Sequence, residues 1–172
     1  KRIKKFGRIV AVDLRASRAT DATLRHLGRL PSLRSLSLAK TAVTDAGIAE
    51  LKQLATLESP NLWDTAITDN GMRHLSGLKG LKSLDLCGTK ITDSSLSHLS
   101  GMSNLLILDL CHTDVTDEGF VHLKPLSNLC ALSAVSTRVS DAGLAHLGGL
   151  TNLRSPALYR TQISSAGLGH VK

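Results

Sequence analysis

The sequence predicts a curved α/β solenoid, a right-handed horseshoe with parallel strands inside and short helices outside. Three observations predict it. Leu33, Leu57, Leu81, Leu105, Leu129 and Leu153 recur every 24 residues without an insertion, and Ile9 opens the series one period earlier. Each unit holds an alternating segment such as Leu84-Asp85-Leu86, which has the period-2 pattern of a half-buried strand. Each also holds a second segment, such as Ile48, Leu51 and Leu54, with the spacing of one apolar helix stripe.

The elements follow in the same order in every unit. The full pattern is Leu-x-x-Leu-x-Leu-x-x-Thr-x-Ile/Val-Thr-Asp-x-Gly-Leu-x-His-Leu-x-x-Leu. The strand comes first, and the same strand in successive units stacks in parallel. Thr41, Thr65, Thr89, Thr113, Thr137 and Thr161, with Ser17 in the first unit, stand at the turn that follows. Their hydroxyls suit backbone groups that no strand serves. Thr44, Thr68, Thr92, Thr116, Ser140 and Ser164 are expected to cap the helices, and an Asp beside most of them suits the helix dipole. Gly47, Gly71, Gly119, Gly143 and Gly167 are expected to let each helix approach its neighbour closely. Strands pack at about 4.8 Å and helices at about 8–10 Å, so the helical side fans out and the stack curves. No unit buries its own apolar face, and stability is shared along the array.

Two departures are expected to disturb the sheet. Pro60 and Pro156 replace a strand leucine and remove a ladder donor, which predicts irregular pairing at units three and seven. Ala134 replaces another strand leucine.

These units resemble the leucine-rich-repeat family, whose motif is Leu-x-x-Leu-x-Leu-x-x-Asn/Cys-x-Leu. The Thr-Asp-x-Gly-Leu stretch is similar to bacterial arrays related to the cysteine-containing subclass. The resemblance divides the chain into a basic segment, residues 1–8, which is a cap or the tail of a preceding repeat, and seven repeats over 9–172 starting at 9, 33, 57, 81, 105, 129 and 153. It implies a non-catalytic module that binds a protein or peptide through its concave face.

Composition agrees with a stacked repeat. Apolar residues make up 42% and aromatics only 2%, so the core is built from Leu, Ile, Val and Ala. Net charge is +7, but residues 1–34 hold ten of the 21 Lys/Arg against two Asp. Basicity is therefore a property of one end, where Lys1, Arg2, Lys4, Lys5 and Arg8 offer an alternative contact for an anion or nucleic acid. No apolar run approaches the roughly 18 residues of a membrane span. The three cysteines lack zinc-type spacing and form no disulfide framework. Without flanking Cys-rich caps, the expected compartment is the cytoplasm.

Several columns of side chains carry groups capable of chemistry. His26, His74, His98, His122, His146 and His170 share one position, but helices 8–10 Å apart separate them too widely for one metal ion, and a structural role is expected. Asp85 and Asp109 stack on an open sheet that gives neither the desolvated cleft of a general acid. Cys87 and Cys111 share a column with His112 beside them, and are read as small half-exposed side chains in preference to a metal site or a disulfide. There is no phosphate loop and no nucleophile elbow, so an enzyme is not expected, nor a cofactor or metal.

The expected binding site is the concave face. Trp63 and Tyr159 project from it where no core needs them, while Phe120 takes a core helix position. Exposed Trp and Tyr are preferred interface anchors. Arg15, Asn61, Asp64, Asp85, Asp109, His112 and Arg160 surround them. That face lacks the basic stripe with interleaved aromatics that single-stranded nucleic acid needs. A targeting module of a larger enzyme or effector, such as a ubiquitin-ligase substrate receptor, and a structural spacer are the alternatives. Oligomeric state is left open.

Overall fold

The computed structural model describes residues 8–170. Lys1, Arg2, Lys4 and Lys5 of the basic segment lie outside the described residues, and only Arg8 of it falls inside.

Seven three-residue strands form one parallel sheet in sequence order: β1 Ala11–Asp13, β2 Ser35–Ser37, β3 Ser59–Asn61, β4 Ser83–Asp85, β5 Ile107–Asp109, β6 Ala131–Ser133 and β7 Ser155–Ala157. Every ladder pairs a residue with the one 24 positions on, as in Leu84↔Leu108 and Asp109↔Ser133. Six short α-helices follow the first six strands: α1 Asp21–Leu27, α2 Asp45–Ile48, α3 Asp69–Leu75, α4 Asp93–Ser97, α5 Asp117–Phe120 and α6 Asp141–Leu144. Helices α2, α5 and α6 run on into 3-10 turns, and the last unit has only the 3-10 turn Gly167–His170. Each crossover therefore carries a compact helix, and the right-handed coil keeps strands on the inside wall.

One continuous core fills the space between the layers. Leu36, Leu84, Leu108 and Leu132 from the strands meet Ile48, Met72, Leu96, Phe120 and Leu144 from the helices, all buried. Phe120 is fully buried, as its position predicts, and Ala134 is buried too.

The capping pattern holds. Thr44, Thr68, Thr92, Thr116 and Ser140 each accept from the backbone N–H two residues on, at the helix start. Ser164 accepts from the Ala166 N–H in the same way at 3.1 Å. The turn hydroxyls also behave as expected: Thr65, Thr89 and Thr113 each donate to the carbonyl three residues back at 2.6 Å.

The adjoining aspartates do more than suit a dipole, because each ties its unit to the next. Asp21 accepts from the Thr44 N–H at 2.8 Å and the Thr44 hydroxyl at 2.7 Å. The same two-pronged bond joins Asp45 to Thr68, Asp69 to Thr92, Asp93 to Thr116, Asp117 to Ser140 and Asp141 to Ser164. This also explains Gly47, Gly71, Gly119, Gly143 and Gly167, each of which faces the aspartate of the preceding unit. A Cβ at Gly119 would overlap Asp93 Oδ1 and lie 2.9 Å from Leu96 Cδ1. In the one unit with Ser95 at this position, the serine hydroxyl itself donates to Asp69.

The two prolines do not behave alike. β3 pairs with β2 over all three residues, but with β4 only at Asn61↔Asp85. β6 and β7 pair over all three residues despite Pro156. The direction of the missing donor accounts for this. The Leu62 N–H bonds forward to Asp85 in the next unit, and the residue two before it, Pro60, faces the same way. Pro60 therefore weakens only its forward ladder. Pro156 faces away from β6, so the irregularity expected at unit seven does not occur.

The candidate site on the concave face

Strand alternation sends position after position of the strand toward the open side, in columns that run across all units. One column is Asp13, Ser37, Asn61, Asp85, Asp109, Ser133 and Ala157; the next holds Arg15, Ala39, Trp63, Cys87, Cys111, Val135 and Tyr159. Trp63 is 40% exposed and Tyr159 66% exposed. Four strand spacings separate them, or about 19 Å.

A third column was not foreseen. Ala16, Lys40, Asp64, Gly88, His112, Ser136 and Arg160 all have positive φ, from 52° to 67°. A run of glycines would have signalled this turn, but only Gly88 is one. The ladder continues through it, because the Lys40, Asp64 and Gly88 N–H groups donate to Trp63, Cys87 and Cys111 carbonyls of the following unit at 2.8 Å. From this turn the Lys40 side chain reaches the following unit. Lys40 Nζ accordingly lies 4.5 Å from the Trp63 ring centroid, a cation–π contact. Lys40 is a site residue that sequence reasoning missed, since its reach depends on the left-handed turn.

The predicted site residues divide into two groups. Arg15, Asn61, Asp85 and Asp109, together with Asp13, which the sequence does not single out, line a shallow groove of about 530 Å³ over β1 to β5, floored by Ser35, Ser59 and Ser83. Trp63, Asp64 and His112 do not line it, and Tyr159 and Arg160 lie two strands beyond its end, where Tyr159 borders a second cavity with Pro156, Ile163 and Leu168. Arg15 is held by Asp13 through a 2.8 Å ion pair, which lowers the Asp13 pKa by hydrogen bonding. Asn61 donates to Asp85 at 2.8 Å. Asp85 and Asp109 accept from the Cys87 and Cys111 N–H groups at 3.1 and 2.9 Å. Among the described residues neither Asp85 nor Asp109 has an ion-pair partner. Burial raises the Asp85 pKa, and the Asp109 charge adds to the rise against hydrogen bonds from Cys87 and Asn61. The middle of the groove is therefore acidic.

The cysteine pair also sits here. Burial first, then the Asp109 charge, pushes the Cys87 thiol up to about 12. Burial likewise raises Cys111, whose Sγ lies 2.7 Å from Ser133 Oγ. His112 is turned out to solvent and does not join them. In the histidine column, His74, His98, His122 and His146 are half-buried, and His26 and His170 are exposed.

Comparison with known proteins decides the fold class. A family model described as Leucine Rich repeat matches residues 29–52. Among solved structures, an internalin C2 from Listeria monocytogenes superposes with a TM-score of 0.80 at 28% identity, covering 95% of this chain and 67% of its own. The fold is a leucine-rich-repeat solenoid. An internalin F from the same organism matches with a TM-score of 0.67 at 23% identity, over 94% of this chain and 51% of its own, which supports the fold alone. No curated protein sequence matches. No helix among the described residues is long and apolar enough to cross a membrane.

Proposed function

We propose that this leucine-rich-repeat chain is a non-catalytic binding module that recognises a protein or peptide partner through its concave face. The observation that carries the reading is the exposure of Trp63 and Tyr159 on a sheet face whose core needs neither. Their spacing of about 19 Å suits a single segment laid across the strands. Arg15, Asn61, Asp64, Asp85, Asp109, His112 and Arg160 supply the polar surround, and the unpaired Asp85 and Asp109 favour a partner with a basic side chain opposite them. The likeness to internalin repeats supports a binding role in preference to an enzymatic one. The unit boundaries starting at 9, 33, 57, 81, 105, 129 and 153, with 1–8 as cap or preceding tail, belong to the same reading. A cytoplasmic location is part of it, suited by three free cysteines.

The test is affinity capture with the wild-type chain beside a Trp63→Ala, Tyr159→Ala double variant. The reading expects a partner retained by the first and lost by the second. A partner held equally by both places recognition elsewhere.

A further inference from the structure

The geometry points to a second site on the same face: Cys87, Cys111 and Asp109 form a binding site for a thiophilic divalent cation such as Zn²⁺. This inference does not rest on the partner-binding reading.

Two adjacent units place thiols in one column, and the aspartate before the second thiol turns its carboxylate toward them. One ligand atom from each of Cys87, Asp109 and Cys111 lies within 4.8 Å of the others. Among the described residues this is the one group of three ligand-type side chains gathered so closely. Ligands around a tetrahedral zinc lie about 2.3 Å away for sulfur and 2.0–2.2 Å for oxygen, which puts two sulfurs about 3.8 Å apart. Side-chain rotation on a fixed backbone closes the remaining gap, since each cysteine lies two residues past the end of one of two neighbouring strands whose register is set by Leu84↔Leu108 and Asp85↔Asp109.

The donor set selects the cation. Two thiolates with one carboxylate suit a borderline-soft ion and disfavour Mg²⁺ and Ca²⁺, which take oxygen ligands. The surroundings supply what a metal site needs beyond its ligands. Ser133 Oγ holds Cys111 Sγ at 2.7 Å, and the Cys111 N–H orients Asp109 at 2.9 Å. Asp85 keeps a further negative charge nearby while its own oxygens are engaged by Asn61 and Cys87. Cys111 is only 8% exposed, so part of the shell excludes water. The fourth position opens onto the groove and is left to water. The ion displaces the two thiol protons to solvent as the sulfurs bind it.

The experiment uses the reduced chain and the metal alone. Co²⁺ is added and its absorption followed, and Zn²⁺ is titrated by calorimetry. The expected result is one equivalent bound, with the thiolate-to-cobalt charge-transfer band. Cys87→Ser and Cys111→Ser each lose that band, and Ser133→Ala weakens binding roughly 10- to 100-fold as a supporting group. Cys130→Ser and His112→Ala bind as wild type does, because neither residue is in the cluster. Circular dichroism confirms that the serine variants remain folded. Absence of saturable binding at one equivalent overturns the site. So does binding that survives in the Cys87→Ser, Cys111→Ser double variant, which places the ion elsewhere.

Discussion

The helix side and the strand side of this solenoid are built on the same 24-residue repeat but use it in opposite ways. On the helix side, six consecutive interfaces repeat one contact, an aspartate holding the next unit's Thr or Ser by its N–H and hydroxyl. On the strand side, the column after the last strand leucine runs Arg15, Ala39, Trp63, Cys87, Cys111, Val135 and Tyr159, with hardly a residue type repeated. Stacking asks the same thing of every unit, so contacts that hold the stack recur. A column free to vary is not constrained by the stack.

Substitutions sharpen that contrast. The largest effect is expected on the repeated side. Asp93→Ala removes both bonds to Thr116 and leaves a half-buried N–H unsatisfied, at a cost of about 2–4 kcal/mol. Gly119→Ala drives a Cβ into the same aspartate, and its cost is expected to shrink in the Asp93→Ala background. Thermal melts of the two single variants and the double variant measure both. Additive costs would show that the glycine serves something other than the aspartate.

On the varied side, Trp63→Ala with Tyr159→Ala is expected to weaken partner binding by about 2 kcal/mol or more, roughly 30-fold. The same change is expected to cost the fold about 1 kcal/mol or less at the exposed Tyr159 and about 1–3 kcal/mol at Trp63, which is 40% exposed. Calorimetry and melting separate the two quantities.

Acid sharpens the comparison further. Burial acts to raise the Asp69 pKa, but hydrogen bonds from Ser95 and Thr92 outweigh it and lower the value. Those from Ser164 lower Asp141. A depressed carboxylate stabilises the fold above its unfolded value near 4, and that contribution is lost as pH falls through the folded value. Asp69 and Asp141 are therefore expected to lose their contribution in acid, with Asp69→Asn flattening the pH dependence of the melting temperature. Asp85 has the opposite sign, since its raised pKa makes ionisation a cost as pH rises. Asp109→Asn relieves that repulsion. It should also speed the reaction of Cys87 with a thiol reagent in a Cys111→Ser, Cys130→Ser background, where the wild-type Asp109 keeps the thiol slow at neutral pH.

The smallest effect is expected at the turn column. Ser136→Gly relieves a left-handed conformation that costs a non-glycine residue roughly 1–2 kcal/mol, partly offset by glycine's greater unfolded-state freedom. A rise of a few degrees or less in the melting temperature is the expected readout.

Much of the fold was legible because the leucines, the turn threonines and the helix caps repeat at fixed spacing, and the threonines and caps act within their own unit. What escaped acts between units. The aspartates were read beside their own helices, although their partners lie 23 residues further on. The left-handed turn was hidden because six of its seven residues carry side chains. The two prolines looked equivalent because a sequence does not say which way an N–H faces. The exposure of Trp63 and Tyr159 was legible from their column, whereas the cation–π contact from Lys40 depends on the hidden turn. The gathering of Cys87 and Cys111 was foreseeable from their shared column, but the part of Asp109 required side-chain directions.

The most direct measurement is hydroxyl-radical footprinting of the domain free and bound to its captured partner. The account predicts protection at Trp63, Tyr159 and the concave face between them, with the helix side around Val121 and His146 unchanged. Protection on the helix side, with the indole and phenol still open to oxidation, would contradict it.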